Sequence, residues 1–175
     1  MSIHIIIDGY NLIRQSPALR KLERIDIQQG REALVDRLAA YKRIKPHKIT
    51  VVFDGTKAPS FSPNRDSRKG ITIKFSRTGE TADTVIKQMA RQQREKVMVV
   101  SSDTEVVKTV ESYGATTISS PDFEKKLVMA EYMKHKGLNT GEDEERGWKP
   151  TTKKKGPGRR LAKRMRRSRR KMSKL

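Results

Sequence analysis

The feature that most constrains this chain is where its apolar runs stop. Residues 3–7 are β-branched apart from His4 and run straight into Asp8-Gly9. Residues 49–53 run into Asp54, and residues 97–100 are followed by Ser101-Ser102-Asp103. Short apolar runs closed by turn residues read as buried strands. Residues 71–75 and 116–118 supply two more candidates.

Helical stripes lie between these runs. Ile27, Leu34, Leu38, Tyr41 and Ile44 fall on one face of a helix over residues 27–44, which Pro46 ends. Ala82, Val85, Ile86, Met89 and Ala90 form a second stripe, and Val106, Val107 and Val110 a third, closed by Gly114. Pro121 opens a last helix carrying Phe123, Leu127, Ala130 and Met133. Strands alternating with helices predict a mostly parallel sheet covered on both faces, a Rossmann-like three-layer α/β/α sandwich.

Charge divides the chain. It has 175 residues, with 40 Lys+Arg, 20 Asp+Glu and no cysteine. Residues 149–175 carry 14 of the basic groups and no acid, so the remainder is only +6 (26 − 20). The tail has too few apolar residues to bury a core and is expected to be disordered. The expected organisation is a domain over 1–136, a flexible linker over 137–158 that includes the acidic run 142–145, and a basic tail over 159–175. Trp148 receives no role. Without cysteine there are no disulfides, thiolate metal sites or cysteine nucleophiles. Ile5-Ile6-Ile7 is far too short for a signal peptide or a membrane span, and the expectation is a soluble, cytoplasmic protein with an acidic partner.

In an open parallel sheet the carboxyl ends of the strands share one rim, where ligand crevices form. Asp8, Asp54 and Asp103 would meet there. Asp83, in Gly79-Glu80-Thr81-Ala82-Asp83, would join them from the start of a helix, with Glu80 and Asn11 nearby. Aspartates at helix starts are often N-caps and nothing more. Four converging carboxylates repel one another, however, unless a cation offsets their charge. Hard all-oxygen ligands suit Mg²⁺ or Mn²⁺, which can activate water and clamp a phosphodiester. His4, His47 and His135 sit where structural or exposed roles are expected. No phosphate-cradling glycine loop is present.

Asp8-Gly9-Tyr10-Asn11-Leu12-Ile13, Val51-Val52-Phe53-Asp54, the Gly79–Asp83 segment and Ser101-Ser102-Asp103 together resemble the YacP-like NYN-domain proteins, a branch of the PIN-like nucleases. The resemblance covers roughly residues 3–130. It implies a PIN-like fold and metal-dependent endoribonuclease activity, in one bacterial branch on mRNA under translation. It also implies that Asp8, Asp83 and Asp103 bind metal, that Asn11 accompanies the first aspartate, and that Asp54 is a further acidic member. Glu80, Thr81 and Ser102 are then expected around the ligands. Many relatives carry a tryptophan soon after the first motif, where this chain has Gln15-Ser16-Pro17, a departure that bears on substrate selection.

Two basic segments complete the reading. In the tail, Arg159, Arg160, Lys163, Arg164, Arg166, Arg167, Arg169 and Arg170 attract phosphates by counterion release. Leu161, Met165, Ser168, Met172 and Leu175 share a helical stripe, and charge repulsion opposes this helix free in solution and favours its forming on structured RNA or a ribosomal surface. The stripe offers small apolar anchors for a membrane, so RNA is the expected partner. The 16-residue stretch 55–70 follows a rim aspartate and holds Phe61, Arg65, Arg68 and Lys69, suited to a base and to phosphates. The alternative from another class is a non-catalytic RNA- or ribosome-binding protein with the same fold.

Overall fold

The computed structural model describes residues 2–55, 65–135 and 163–175. Six strands form one sheet in the order β3-β4-β2-β1-β5-β6: β1 (His4–Asp8), β2 (Lys48–Phe53), β3 (Arg65–Arg68), β4 (Ile71–Phe75), β5 (Val97–Val100) and β6 (Thr116–Ile118). All pairs are parallel except the β3–β4 edge hairpin. The helices are α1 (Gly9–Gln15), α2 (Pro17–Ile25), α3 (Ile27–Ile44), α4 (Ala82–Gln93), α5 (Thr104–Ser112), α6 (Ser120–His135) and α7 (Lys163–Met172).

Strand periodicity divides the core. Ile5 and Ile7 of β1 face a cluster with Leu12, Leu34, Leu38, Phe123 and Leu127, from α1, α3 and α6. Ile6 points the other way, onto Val85 and Ile86 of α4 and Val106 and Val110 of α5. The expected α/β/α sandwich is therefore present, and every strand and helix read from apolar patterning occurs. The chain leaves β1 toward β2 over one face, then returns through α4 to β5 on the other side of β1. The strand order thus reverses between β1 and β5, the place where open α/β sheets form their crevice.

Four elements differ from the sequence reading, the first being residues 9–15, read only as a turn after β1, which form helix α1. Ser16-Pro17 starts the additional helix α2: Ser16 Oγ caps Leu19 N at 3.4 Å and Pro17 occupies the first turn. Residues 65–68, read as part of a long loop, form edge strand β3.

The fourth difference is the tail, expected to be disordered without RNA. Residues 163–172 are helical, and the chain beyond them seats on the domain. Leu175 is buried in the same cluster as Ile5 and Leu38. Its carbonyl accepts from Tyr41 Oη at 3.3 Å, and His47 Nε2 meets Lys174 O at 3.2 Å. Lys171 donates to the carbonyls of Glu95 and Val97, Arg167 pairs with Glu95, and Ser168 Oγ lies 3.3 Å from Thr116 Oγ1. These contacts set the tail against the domain. Val97 and Thr116 open their strands, so the tail sits at the amino edge of the sheet, opposite the aspartate rim.

Candidate functional site

Asp8 is the centre of the rim. It ends β1 and caps α1, its Oδ1 accepting from Asn11 N at 3.2 Å while Oδ2 accepts from Ser101 Oγ at 3.4 Å. Gly9 lets the start of α1 pack close on β2, because a Cβ at that position would collide with the Phe53 ring. Burial pushes the Asp8 carboxyl up to about 6, and repulsion from Asp83 and Asp103 adds to the effect. The bonds from Asn11 and Ser101 oppose it only in part.

Asp103 caps α5, accepting from Glu105 N at 2.8 Å and Val106 N at 3.0 Å. The capping reading is therefore correct for both Asp8 and Asp103, and it coexists with their convergence. At α4 the cap is Thr81, which accepts from Thr84 N at 3.2 Å and leaves Asp83 in the first turn. Burial raises the Asp83 carboxyl, and Asp103, Glu105 and Asp54 push it further while Lys87 pulls it back. Asp54 follows β2 on the same rim, beside Gly55, whose N–H donates to Ser76 Oγ at 2.8 Å. A Cβ on Gly55 would collide with the Ser76 carbonyl. Glu80 turns back on its own loop, Oε2 accepting from Arg77 N at 3.4 Å.

Asn11 is fixed by two donors. Its Oδ1 accepts from Ser102 N at 3.0 Å and from Ser120 Oγ at 2.7 Å, and Ser102 Oγ accepts from Ser120 N at 3.1 Å. These bonds tie α1, the β5–α5 turn and the start of α6 into one frame. Ser101, Ser120 and Lys87 were not singled out in the sequence. Lys87 stands one helical turn after Asp83, which was a usable signal, and it pairs with Glu105 across to α5.

Among the described residues, no three carboxylates or imidazoles stand close enough together to hold a cation by themselves. The donor set still fits a hard divalent ion. All its ligands are oxygen, Mg²⁺ keeps several waters and needs only one or two carboxylates directly, and a buried Asp8 among like charges is short of a counter-ion.

The histidines keep to structural places where described. His4 meets Gln93 Oε1 at 2.6 Å and Thr50 Oγ1 at 2.9 Å. Of the expected RNA contacts, Phe61, Arg159 and Arg160 lie outside the described residues, as do Trp148 and the acidic run. Arg65 belongs to β3, and Lys163, Arg164 and Arg166 to α7. Arg68 pairs with Glu32 and Asp66, Lys69 with Asp36, and Arg167 with Glu95. Arg169 and Arg170 are exposed on α7. No helix among the described residues is long and apolar enough to cross a membrane.

The family model of the YacP-like NYN domain matches residues 5–174, almost the whole chain. The chain belongs to the YacP-like NYN domain family. That places it among nuclease-like domains and extends the match through the basic tail. An uncharacterized protein YacP of Bacillus subtilis (strain 168) is 26% identical over 87 residues, covering 50% of this chain. The aligned stretch spans about half (51%) of that relative's length. The crystal structure of Rae1 (YacP) from Bacillus subtilis superposes with a TM-score of 0.67 at 23% identity, covering 79% of this chain and 80% of that one. A point variant of the same protein gives 0.63 over 78% of this chain and 80% of that chain. These likenesses show that the NYN fold is shared.

Proposed function

We propose that this NYN domain is a divalent-metal-dependent endoribonuclease, with Asp8, Asp83 and Asp103 holding Mg²⁺ or Mn²⁺ on the rim. The observation that carries the reading is Asp8: a buried carboxylate at the switch point of the sheet, raised to about 6 and facing two further aspartates. When bound, the ion supplies an activated water and a charge clamp for the phosphodiester. The residues around it supply position. Asn11, its carbonyl oxygen committed to Ser102 and Ser120, is left to offer its amide N–H groups to a phosphate oxygen. Lys87 exchanges its exposed partner Glu105 for the charge that develops on the phosphate. Asp54 adds negative charge from β2, while Glu80, Thr81 and Ser102 hold the loops that present the ligands. Hydrolysis by water leaves a 5′-phosphate and a 3′-hydroxyl.

The basic tail serves docking. It lies at the far edge of the sheet, and a five-residue strand such as β1 spans roughly 16 Å. A partner that engages both the tail and the rim must reach around the sheet from one edge to the other, as structured RNA or a ribosome carrying mRNA does, and such a partner goes with a cytoplasmic protein. The test is cleavage of RNA, free and on translating ribosomes, with Mg²⁺, with Mn²⁺ and with a chelator. Metal-dependent cuts with 5′-phosphate ends that vanish in Asp8→Asn and Asp83→Asn are expected. Cleavage that survives chelation or either substitution would refute the reading.

A further inference from the structure

A cavity of about 450 Å³ lies between α3 and the β3–β4 hairpin, outside the carboxylate cluster. That volume falls in the range of small-ligand sites, about 300–1,000 Å³. Its floor is apolar and aromatic: Phe53, Phe75, Ile73 and Val35. Phe53 and Phe75 stack with centroids 5.8 Å apart. The Arg31 guanidinium, only 3% exposed as a residue, lies 5.7 and 5.3 Å from their centroids.

The α3 wall is a chain of oriented polar groups. Arg31 Nη1 donates to Gln28 Oε1 at 3.3 Å, and Gln28 Nε2 donates to Glu32 at 2.9 Å. Two exposed ion pairs, Arg68–Glu32 at 3.3 Å and Lys69–Asp36 at 2.5 Å, bridge α3 to the hairpin. Exposed pairs of this kind are worth about 0–1 kcal/mol, so they yield readily to a ligand.

The charge balance decides what that ligand is. Glu32, Asp36 and Asp66 face Arg31, Arg68 and Lys69, three against three, so a phosphate gains little here. Phe53 is fully buried, so a flat, neutral, hydrogen-bonding group gains the part-exposed Phe75 and the polar wall. The cavity neighbours the rim through its lining residues: Phe53 directly precedes Asp54, and Tyr10, which packs edge-on against Phe53 at 5.2 Å, takes hydrogen bonds from Arg31 and lies two residues after Asp8. We propose that this cavity is a base-reading subsite that takes one unstacked nucleobase of an RNA strand lying along the aspartate rim. The identity of that strand rests on the nuclease reading, whereas the pocket's preference for a base does not.

The test uses the full chain in chelator, titrated with the four ribonucleosides and their 5′-monophosphates, with the methyl resonances of Ile73 and Val35 as reporters. One base should bind at least about tenfold tighter than the weakest, in keeping with the discrimination that base-edge hydrogen bonds supply. Gln28→Trp, which fills the mouth from α3, should weaken that base at least about tenfold with an unchanged melting temperature. Glu32→Gln, on the exposed rim of the pocket, should reorder the four bases and serves if the first variant is unstable. Ligands that leave Ile73 and Val35 unmoved, or a ranking untouched by Glu32→Gln, would overturn the subsite. Bases that bind there to a protein unable to cut RNA with Mn²⁺ would leave the subsite standing and sink the nuclease. Metal-dependent cutting with equal rates on all sequences and no shift at Ile73 would do the reverse.

Discussion

Replacing Asp8 by Asn should strengthen the metal-free fold while removing the activity. The folded state holds the Asp8 proton to about pH 6, against an ordinary value of 3.8. At 1.36 kcal/mol per unit, that gap is about 3 kcal/mol. The sign follows from linkage: the raised carboxyl favours the fold below about pH 4, loses that advantage as pH rises toward 6, and imposes the full cost above it. An amide carries no charge and still accepts from Asn11 N. Its new N–H group, however, faces the Ser101 hydroxyl, which now donates to Asp8 and accepts from Asp103 N at 3.1 Å. Disturbing that bond costs about 1 kcal/mol. The expected net gain is about 1–3 kcal/mol at pH 8. Urea unfolding of both proteins in chelator from pH 4 to pH 8 measures it; titrating groups remote from Asp8 cancel in the difference, whereas Asp83 and Asp103, which repel it, titrate as part of the effect. A difference that stays flat across this range, or a variant less stable than wild type at pH 8, would show that Asp8 is not the buried, repelled carboxylate described here.

Leu175→Ala should cost about 2 kcal/mol in chemical denaturation, the low end for a buried leucine, because the site lies at the edge of the core. Arg169→Ala and Arg170→Ala should each lower the slope of log affinity for RNA against log salt by about 0.7–0.9. Arg167→Ala should leave that slope alone and cost at most about 1 kcal/mol of stability, since its partner is Glu95. Lys87→Ala should lower the single-turnover cleavage rate roughly 100-fold with little change in RNA affinity, and Lys87→Arg should restore part of it. Equal losses in rate and affinity would instead make Lys87 a general RNA contact.

Most of the fold was legible because the core strands and helices carry their own periodicity. Residues 3–7 and 97–100 read as buried strands since the sheet is covered on both faces, and α3 and α4 show clear stripes. The elements that escaped lack such a signal. Arg65–Arg68 has no apolar residue and is a strand only because β4 offers it a partner edge. Helix α2 buries just Leu19, and its evidence was the Ser16-Pro17 start. At the site, aspartates after strands were visible, but Ser120, which fixes Asn11, was not, because the two are 109 residues apart in sequence and meet only in space. Basic residues were least legible: composition cannot tell Arg167, paired to Glu95, from Arg169, turned to solvent.

The seat of Leu175 bears on the order in which the molecule is assembled. Its carbonyl meets Tyr41 across 134 residues, and Lys174 meets His47 across 127. Contacts that close such long spans form late, after the local ones have already shaped the sheet. A nascent chain can thus bring Asp8, Asp83 and Asp103 together once residue 135 has left the ribosomal tunnel, while the opposite edge around Tyr41 and His47 still waits for the tail. The aspartate rim and its stabilising cap are thus built from segments made at different moments of synthesis.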